Sequence, residues 1–351
     1  MVWKKHQQQV KQQKKTKLAF VSLGLILALI IIGNLFNFLL SLNKPKNLNM
    51  TVYQLNDWSG KSAINILIGS INPEKKVNLN LIGFLPAEKK AVILKLSGEI
   101  ILDVPKEFGA WQLESIYGLG EEENPKIGSK LLQLSASKLL GLPVDAVVLF
   151  GNKERFSNPE NLIADLRKNP LILAGILNGV DTNLTPFQAY RVFWMLSKVR
   201  SDKIIALDLA KSSITESKLL PDSSRVLGVD MVKLDYFIRE NMAELSEEDK
   251  SIAIFNGTSF AGIAQEASRI VTNMGGSVIT VSNTEQKFAS TMVVSKDGEN
   301  KGGYTYQRMS QIFAPQCLKE NCQSKDPKIL FSRADVNIIL GEDYFNLWYR
   351  R

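Results

Sequence analysis

The residue types that could do chemistry are sparse in this chain, and its one histidine, His6, lies in a basic N-terminal tail. Histidine is the usual base of Ser-His-Asp and Cys-His nucleophiles and a common zinc ligand. Residues 43–351 contain none, so we exclude these three chemistries from them. No cofactor is expected in this part of the chain, and no residue in it is singled out as a catalyst by its pattern alone.

The two cysteines, Cys317 and Cys322, have four residues between them. A zinc site would need two further cysteine or histidine ligands, and the spacing is not that of the redox C-x-x-C motif. If this segment lies in an oxidising compartment, a local disulfide is the leading interpretation. Two reduced spectator thiols are the alternative.

The segment Asn256-Gly257-Thr258-Ser259 follows an apolar run and precedes a helical pattern. Backbone N–H groups at the start of a helix can bind a phosphate or a glycan oxygen. Asn256, Gly257 and Thr258 are therefore candidate ligand-binding residues, although a cap and a turn explain them equally simply. The segment lacks the lysine of a nucleotide-binding loop. No metal site is predicted, because the acidic run 121–123 is more typical of a solvated loop.

The positive charge is concentrated at one end of the chain. The sequence has 43 Lys plus Arg and 35 Asp plus Glu, and six of the lysines lie in residues 1–17 with no acid among them. Residues 43–351 therefore carry 37 basic and 35 acidic side chains. A nearly neutral body lacks the electrostatic footprint of a nucleic-acid binder, so that class is excluded.

The segment from Leu18 to Leu42 contains 25 residues and no charge. This length is enough to cross a hydrocarbon core of about 30 Å as a helix. A signal peptide would have a shorter apolar region and a small-residue cleavage site, which is absent here. Because the lysines precede the span, the positive-inside rule places the tail in the cytoplasm and the body outside. We therefore expect a single-pass cell-membrane protein with an extracytoplasmic body.

Strand and helix patterns alternate through the body and predict two α/β domains. Residues 43–245 contain short apolar runs with Gly and Pro turns, and a helical pattern at 128–141. The acidic segment 242–250 marks the boundary, and residues 250–345 read strand, turn, helix, Gly-Gly stop and strand.

A helix is predicted to begin after Thr185, where Thr185, Pro186 and Gln188 form a capping-box pattern. Its aromatic stripe could form a ligand-stacking surface, but the helical spacing favours core packing. The stripe consists of Phe187, Tyr190, Phe193, Trp194 and Val199.

Residues 254–283 resemble the C-terminal domain of the LytR-CpsA-Psr family of bacterial envelope proteins. In that family a strand ends in Asn-Gly-Thr and is followed by a helix with Gly-x-Ala and a Gly-x-x-Val strand. The matching residues are Asn256, Gly257, Thr258, Gly262, Ala264, Gly276 and Val278. The upstream segments 64–70, 85–96 and 136–151 are similar to the family's catalytic domain, in the same order and behind a similar anchor.

The resemblance implies a domain that holds a polyprenyl-pyrophosphate-linked glycan with arginines and an Asp-bound magnesium ion and transfers it to peptidoglycan. The family's first Arg-x-Asp motif would fall at Lys75-Lys76-Val77, and in its second motif Gly98 stands for arginine and Glu99 for the acid. Lysine does not reproduce bidentate phosphate binding by arginine. A rebuilt site could use Lys75, Lys76, Glu99 and Asp103; otherwise these residues belong to a solvated hairpin surface.

Three hypotheses remain open from the sequence. The first is a non-catalytic pseudoenzyme of the cell envelope that binds peptidoglycan, a lipid-linked glycan or another envelope protein. The second is a glycopolymer transferase with a rebuilt, magnesium-dependent site. The third is a structural partner in a division or secretion complex.

Overall fold

The computed structural model of the chain describes residues 29, 31–34, 58–151, 158–169, 172, 180–219, 225–245, 248–296, 303–318, 322, 326, 329 and 332–350. Most of the predicted span 18–42 lies outside these residues. Of that span, residues 29 and 31–34 are described and helical. Among the helices of the described residues, none is both long and apolar enough to span a bilayer. The membrane span stays a prediction.

The first lobe, residues 58–245, is built on a mixed sheet that has six strands within the described residues, in the order β7-β6-β1-β2-β3-β8. Strand β1 is antiparallel to β2 and parallel to β6, so the predicted strands form the centre of the sheet. The strands of the lobe are β1 Ile64–Ile71, β2 Val77–Leu85, β3 Lys90–Leu96, β4 Ile101–Val104, β5 Gly109–Gln112, β6 Ala146–Phe150, β7 Val180–Thr182, β8 Ile204–Asp208, β9 Thr215–Leu219 and β10 Arg225–Val229.

Helices cover both faces of this sheet, which is why its central strands are buried along almost their whole length. The helices of the lobe are α1 Ile116–Glu121, α2 Gly128–Leu140, α3 Pro159–Lys168, α4 Pro186–Ser197 and α5 Met231–Met242. Helix α2 ends at Gly141, which has φ 58°, as the sequence predicted. Helix α5 was not predicted.

The second lobe, residues 248–350, has a sheet of four strands in the described part of the chain, ordered β12-β11-β14-β13. Strand β11 is parallel to both of its neighbours, and a helix connects β11 to β12 as the sequence predicted. The elements are β11 Ser251–Asn256, α6 Ile263–Asn273, β12 Ser277–Asn283, β13 Met292–Ser295, α7 Gly303–Phe313, β14 Val336–Leu340 and α8 Glu342–Trp348. The α/β class is confirmed for both lobes.

The two lobes share one hydrophobic core. Buried side chains of α2, such as Leu131 and Leu134, belong to the same cluster as Ile254 of β11, Ala267 of α6 and Met309 of α7. A continuous core of this kind means that neither lobe buries its apolar surface alone. The two lobes therefore pack as one unit.

Helix α4 confirms the predicted start and corrects the predicted packing of its aromatic stripe. The Thr185 hydroxyl accepts the N–H of Gln188 at 3.1 Å, and the Gln188 side chain accepts the N–H of Thr185 at 3.0 Å. Phe193 is buried, but Phe187 and Trp194 are exposed. Aromatic residues occupy both sides of α4, so helical spacing does not define which side faces the core.

Candidate functional site

The lysine pair of the first lobe lies in the tight turn between β1 and β2. The N–H of Lys75 donates to the carbonyl of Asn72 at 2.9 Å, and the Asn72 side chain accepts the N–H of Lys76 at 2.8 Å. The ammonium of Lys76 is bonded to Glu114 Oε1 at 2.6 Å, which raises the pKa of Lys76. The ammonium of Lys76 is thus already paired with a carboxylate.

Glu114 also joins this turn to the segment that carries Glu99. Its backbone N–H donates to the carbonyl of Gly98 at 3.1 Å, and a Cβ at Gly98 would lie 2.9 Å from the Glu114 side chain. The structure therefore brings Lys76 and the Gly98-Glu99 turn together around Glu114. Glu99 itself is exposed.

Asp103 of β4, the fourth candidate, is held elsewhere, by helix α2. Its carboxylate is bonded to the Lys138 ammonium at 2.7 Å, with 73% of the Asp103 side chain exposed. Among the described residues, no three His, Cys, Asp or Glu side chains are grouped so as to hold a metal ion. The magnesium requirement of the transferase alternative remains untested.

The Asn256-Gly257-Thr258 turn of the second lobe is tied together by its own hydrogen bonds. The Asn256 side-chain oxygen accepts the N–H of Thr258 at 2.9 Å, and the Thr258 hydroxyl accepts the N–H of Phe260 at 3.1 Å. The N–H of Gly257 donates to the Leu340 carbonyl at 2.8 Å. Helix α6 begins only at Ile263, so the expectation that this turn opens the helix was wrong. Its ligand-binding role stays a prediction.

A cluster of buried charges lies where the two lobes meet. The guanidinium of Arg308, from α7, donates to both oxygens of Asp145 at 2.8 and 2.9 Å. Its Nε donates to Glu244 at 3.0 Å. Burial disfavours the cation, but the two carboxylates outweigh it and keep the pKa of Arg308 well above its usual value. Asp145 also accepts the N–H of Asn65 at 2.8 Å, which links the triad to β1.

Sequence reasoning missed this triad. Asp145 falls inside the strand predicted over 144–151 and directly before the observed strand β6, and Glu244 lies in the segment assigned to the lobe boundary. One signal was available: Arg308 is a charged residue among apolar residues of the α7 pattern. Nothing in the local spacing identifies its partners, since Asp145 is 163 residues away.

A cavity of about 240 Å³ lies beside the triad at the lobe junction, lined by residues of both lobes. It contains Lys61, Glu88, Glu244, Glu248 and Tyr304 among apolar neighbours. The Tyr304 hydroxyl donates to Glu244 at 2.6 Å. Burial, followed by the charge of Glu244, raises the pKa of Tyr304 far above its usual value. This hydroxyl therefore stays protonated at neutral pH.

Glu248, at the rim of this cavity, caps the first turn of α7. Its two carboxylate oxygens accept the N–H groups of Tyr304 and Thr305 at 2.6 and 2.7 Å. Desolvation opposes the charged form, but these hydrogen bonds outweigh it and lower the pKa of Glu248. A carboxylate at a helix N-terminus stabilises the helix through its dipole.

We expect Glu248→Gln to reduce the free energy of unfolding by about 0.5–1 kcal/mol at neutral pH. Because the folded pKa is the lower one, this stabilisation is complete above the ordinary carboxylate pKa and disappears as the pH falls through the folded value. The difference between the two proteins should therefore vanish in acid, measured by urea unfolding across pH. The exposed Glu216→Gln is the control. A difference that persists at the lowest pH would contradict the cap.

A second ionic contact holds the lobes together near the end of α2. The guanidinium of Arg269 donates to Asp235 of α5 through Nε at 2.9 Å and through Nη2 at 2.7 Å. It also donates to the carbonyls of Lys138 and Leu139 at 2.6 and 3.0 Å. Arg269 of the second lobe thus satisfies carbonyl groups that the helix end leaves open.

The sulfur atoms of Cys317 and Cys322 are joined as a disulfide, with their Cα atoms 5.3 Å apart. Cys317 is buried and packs in the shared core. The bond closes a short loop that follows α7.

Comparison with known proteins identifies the second lobe. Residues 249–344 match the LytR_C family model, described as "LytR cell envelope-related transcriptional attenuator". No curated protein matches the chain.

Several solved structures are similar to part of the chain. The crystal structure of B. subtilis TagT is 14% identical, with a TM-score of 0.41 over 57% of this chain and 99% of its own. The LytR-CPS2A-psr family protein YwtF (TagT) with bound octaprenyl pyrophosphate lipid is 15% identical, with a TM-score of 0.41 over 57% of this chain and 98% of its own. B. subtilis TagV is 13% identical, with a TM-score of 0.40 over 52% of this chain and 97% of its own. Residues 249–344 thus match the LytR C-terminal family, as the resemblance of residues 254–283 predicted.

Proposed function

We propose that this chain is a membrane-anchored, non-catalytic protein of the cell envelope that recognises a lipid-linked glycan. The LytR C-terminal domain supports the link to the envelope. The predicted span 18–42 supports the anchor and, with the lysines before it, an extracytoplasmic body. The ligand class follows from the resemblance of the first lobe to domains that hold polyprenyl-pyrophosphate-linked glycans.

The observation that carries the non-catalytic function is the ion pair between Lys76 and Glu114. Departure of a pyrophosphate requires positive charge that is free to neutralise the negative charge developing on it. Here Glu114 holds the Lys76 ammonium at 2.6 Å, and Asp103, another candidate of the rebuilt site, is held by Lys138 at 2.7 Å. In this arrangement Lys76 and Asp103 are each neutralised by a residue of the protein rather than by a substrate.

The transferase alternative draws on one observation. Lys76, the Gly98-Glu99 turn and Glu114 meet at one place, so a cation and two acids are close enough to be rearranged by a ligand. A pyrophosphate that displaces Glu114 from Lys76 would create a cationic contact. Recognition would still precede any transfer.

The deciding experiment uses the full chain in lipid nanodiscs, a polyprenyl-pyrophosphate-linked glycan and peptidoglycan, with and without magnesium. We expect saturable binding of the lipid-linked glycan, measured by surface plasmon resonance, and no released polyprenyl phosphate or polyprenyl pyrophosphate by chromatography. Magnesium-dependent release would contradict the non-catalytic function and lead to mutation of Lys75, Lys76 and Glu99. Absence of binding would favour a protein partner.

A matched pair of variants tests where the pyrophosphate binds. Glu114→Gln frees Lys76, and we expect it to tighten binding by about twofold to fivefold, the range of one exposed ionic contact. Glu121→Gln removes another lysine-paired carboxylate of the same lobe and should leave the affinity unchanged. Equal affinities for the two variants would place the pyrophosphate away from the Lys75-Lys76 turn.

A further inference from the structure

Helix α4 exposes three large aromatic side chains on one face. Phe187, Tyr190 and Trp194 are 47%, 49% and 40% exposed. Their spacing of three and four residues places them in one row along the helix. Buried side chains on the other side of α4, including Phe193 and Leu196, attach the helix to the first lobe. We call this row the α4 aromatic face; a contiguous exposed apolar surface of this kind marks a contact site.

Cations lie directly over this face. The guanidinium carbon of Arg191 is 4.7 Å from the centroid of the Phe187 ring, and the Lys198 ammonium is 4.5 Å from that of Trp194. A stacked sugar needs a free ring face, and here a cation covers one face of each of these two rings. Aromatic rings next to Lys and Arg are instead the composition of a membrane–water interface.

Beyond the end of α4 the surface remains basic. Lys198, Arg200 and Lys203 are exposed, and the single acid among them, Asp202, is bonded to Arg200 at 2.9 Å. This segment therefore keeps an excess of positive charge. Each Lys or Arg close to an anionic bilayer strengthens attachment by about fivefold.

The chain enters the first lobe against this same helix. Trp58, the first described residue of the lobe, is buried, and its carbonyl accepts a hydrogen bond from Arg191 Nη1 at 2.8 Å. The predicted span ends at residue 42, sixteen residues earlier. Fully extended, that stretch reaches at most about 55 Å. The stretch between the predicted span and Trp58 thus joins the first lobe beside α4 and keeps α4 within reach of the bilayer.

We propose that the α4 aromatic face rests on the surface of the membrane, with its rings among the headgroups and its cations on anionic phospholipids. This orientation would hold the first lobe in a defined pose above the bilayer, with α4 directed toward the lipid. The inference rests on the membrane anchor of the proposed function, and it is independent of whether the protein transfers glycan.

The test places a thiol-reactive fluorophore on the full chain in nanodiscs that contain phosphatidylcholine and phosphatidylglycerol. Tyr190→Cys puts the probe on the α4 aromatic face, and Phe187→Cys is a second position on the same row. Tyr236→Cys is the control, because Tyr236 is an exposed tyrosine of the same lobe, on α5. The native cysteines are joined as a disulfide, so they do not react with the probe.

We expect a lipid with a nitroxide headgroup to quench the probes at 187 and 190 severalfold more than the probe at 236. Discs of phosphatidylcholine alone should weaken this preference. Equal quenching at all three positions, in a chain that co-elutes with the discs, would overturn the proposal while leaving the anchor intact.

Three further outcomes separate the proposals. A chain that does not co-elute with the discs would overturn the anchor and this inference together. A spectral shift at 190 caused by soluble peptidoglycan fragments, without preferential lipid quenching, would overturn the inference in favour of a glycan surface. Released polyprenyl phosphate or polyprenyl pyrophosphate would contradict only the non-catalytic function, since it leaves the quenching ratio unchanged.

Discussion

Replacing Arg308 with methionine is expected to lower the free energy of unfolding by about 3–5 kcal/mol, the usual cost of removing one partner of a buried ion pair. Asp145, Glu244 and Arg308 are all almost fully buried, with side-chain exposures of 2%, 4% and 5%. Without the guanidinium, two carboxylates would remain near each other with no cation between them. Methionine is a long, apolar side chain that fills much of the space of the arginine. The loss of unfolding free energy therefore reports the missing charge rather than a cavity.

Urea unfolding of the full chain in detergent, followed by circular dichroism, measures this effect. The control is Arg200→Ala, which removes an 80% exposed guanidinium and should change stability by less than about 0.5 kcal/mol. Adding Asp145→Asn to Arg308→Met removes one of the stranded charges and should recover part of the loss. If Arg308→Met were no less stable than the Arg200 variant, the triad would not hold the lobes together.

The second large effect is expected in helix α4, at two adjacent aromatic residues. Phe193→Ala removes a ring with 0% exposure from the core of the first lobe, which typically costs about 3–5 kcal/mol. Trp194→Ala removes a larger ring that is 40% exposed, and we expect a loss below about 1 kcal/mol. The same unfolding measurement compares them.

These neighbouring substitutions are a matched pair, because both replace an aromatic residue with alanine in the middle of one helix. Helix propensity rises in each, so it does not explain a difference. Comparable losses at 193 and 194 would mean that Trp194 is packed in the core, as the sequence interpretation had it. The α4 aromatic face would then not exist.

Local sequence was sufficient to predict an element wherever the residues that define it lie close together in the chain. The capping box at Thr185 and the left-handed Gly141 define helix ends through groups only a few residues apart. The apolar runs of β1, β2 and β6 predicted a buried sheet. The strand-helix-strand pattern of residues 251–283 predicted the first elements of the second lobe, and the resemblance of residues 254–283 predicted its match to the LytR C-terminal family.

Among the candidate residues, the sequence named several that the structure then placed in contact. Lys76 and Glu99 were proposed together, and Glu114 joins their two turns. Glu114 was not predicted, since it is 38 residues from Lys76 and a carboxylate on a surface turn has no distinguishing pattern. Its presence changes Lys76 from a free cation to a paired one.

The contacts that decide how the molecule is assembled are long-range, and only the tertiary structure revealed them. Arg308 meets Asp145 across 163 residues, and Arg269 meets the end of α2 across about 130 residues. Hydrophobic periodicity describes one element at a time, so it cannot select a buried partner or distinguish two aromatic sides of α4. Which charges are neutralised, and which rings remain exposed, depends on the surfaces that folding brings together.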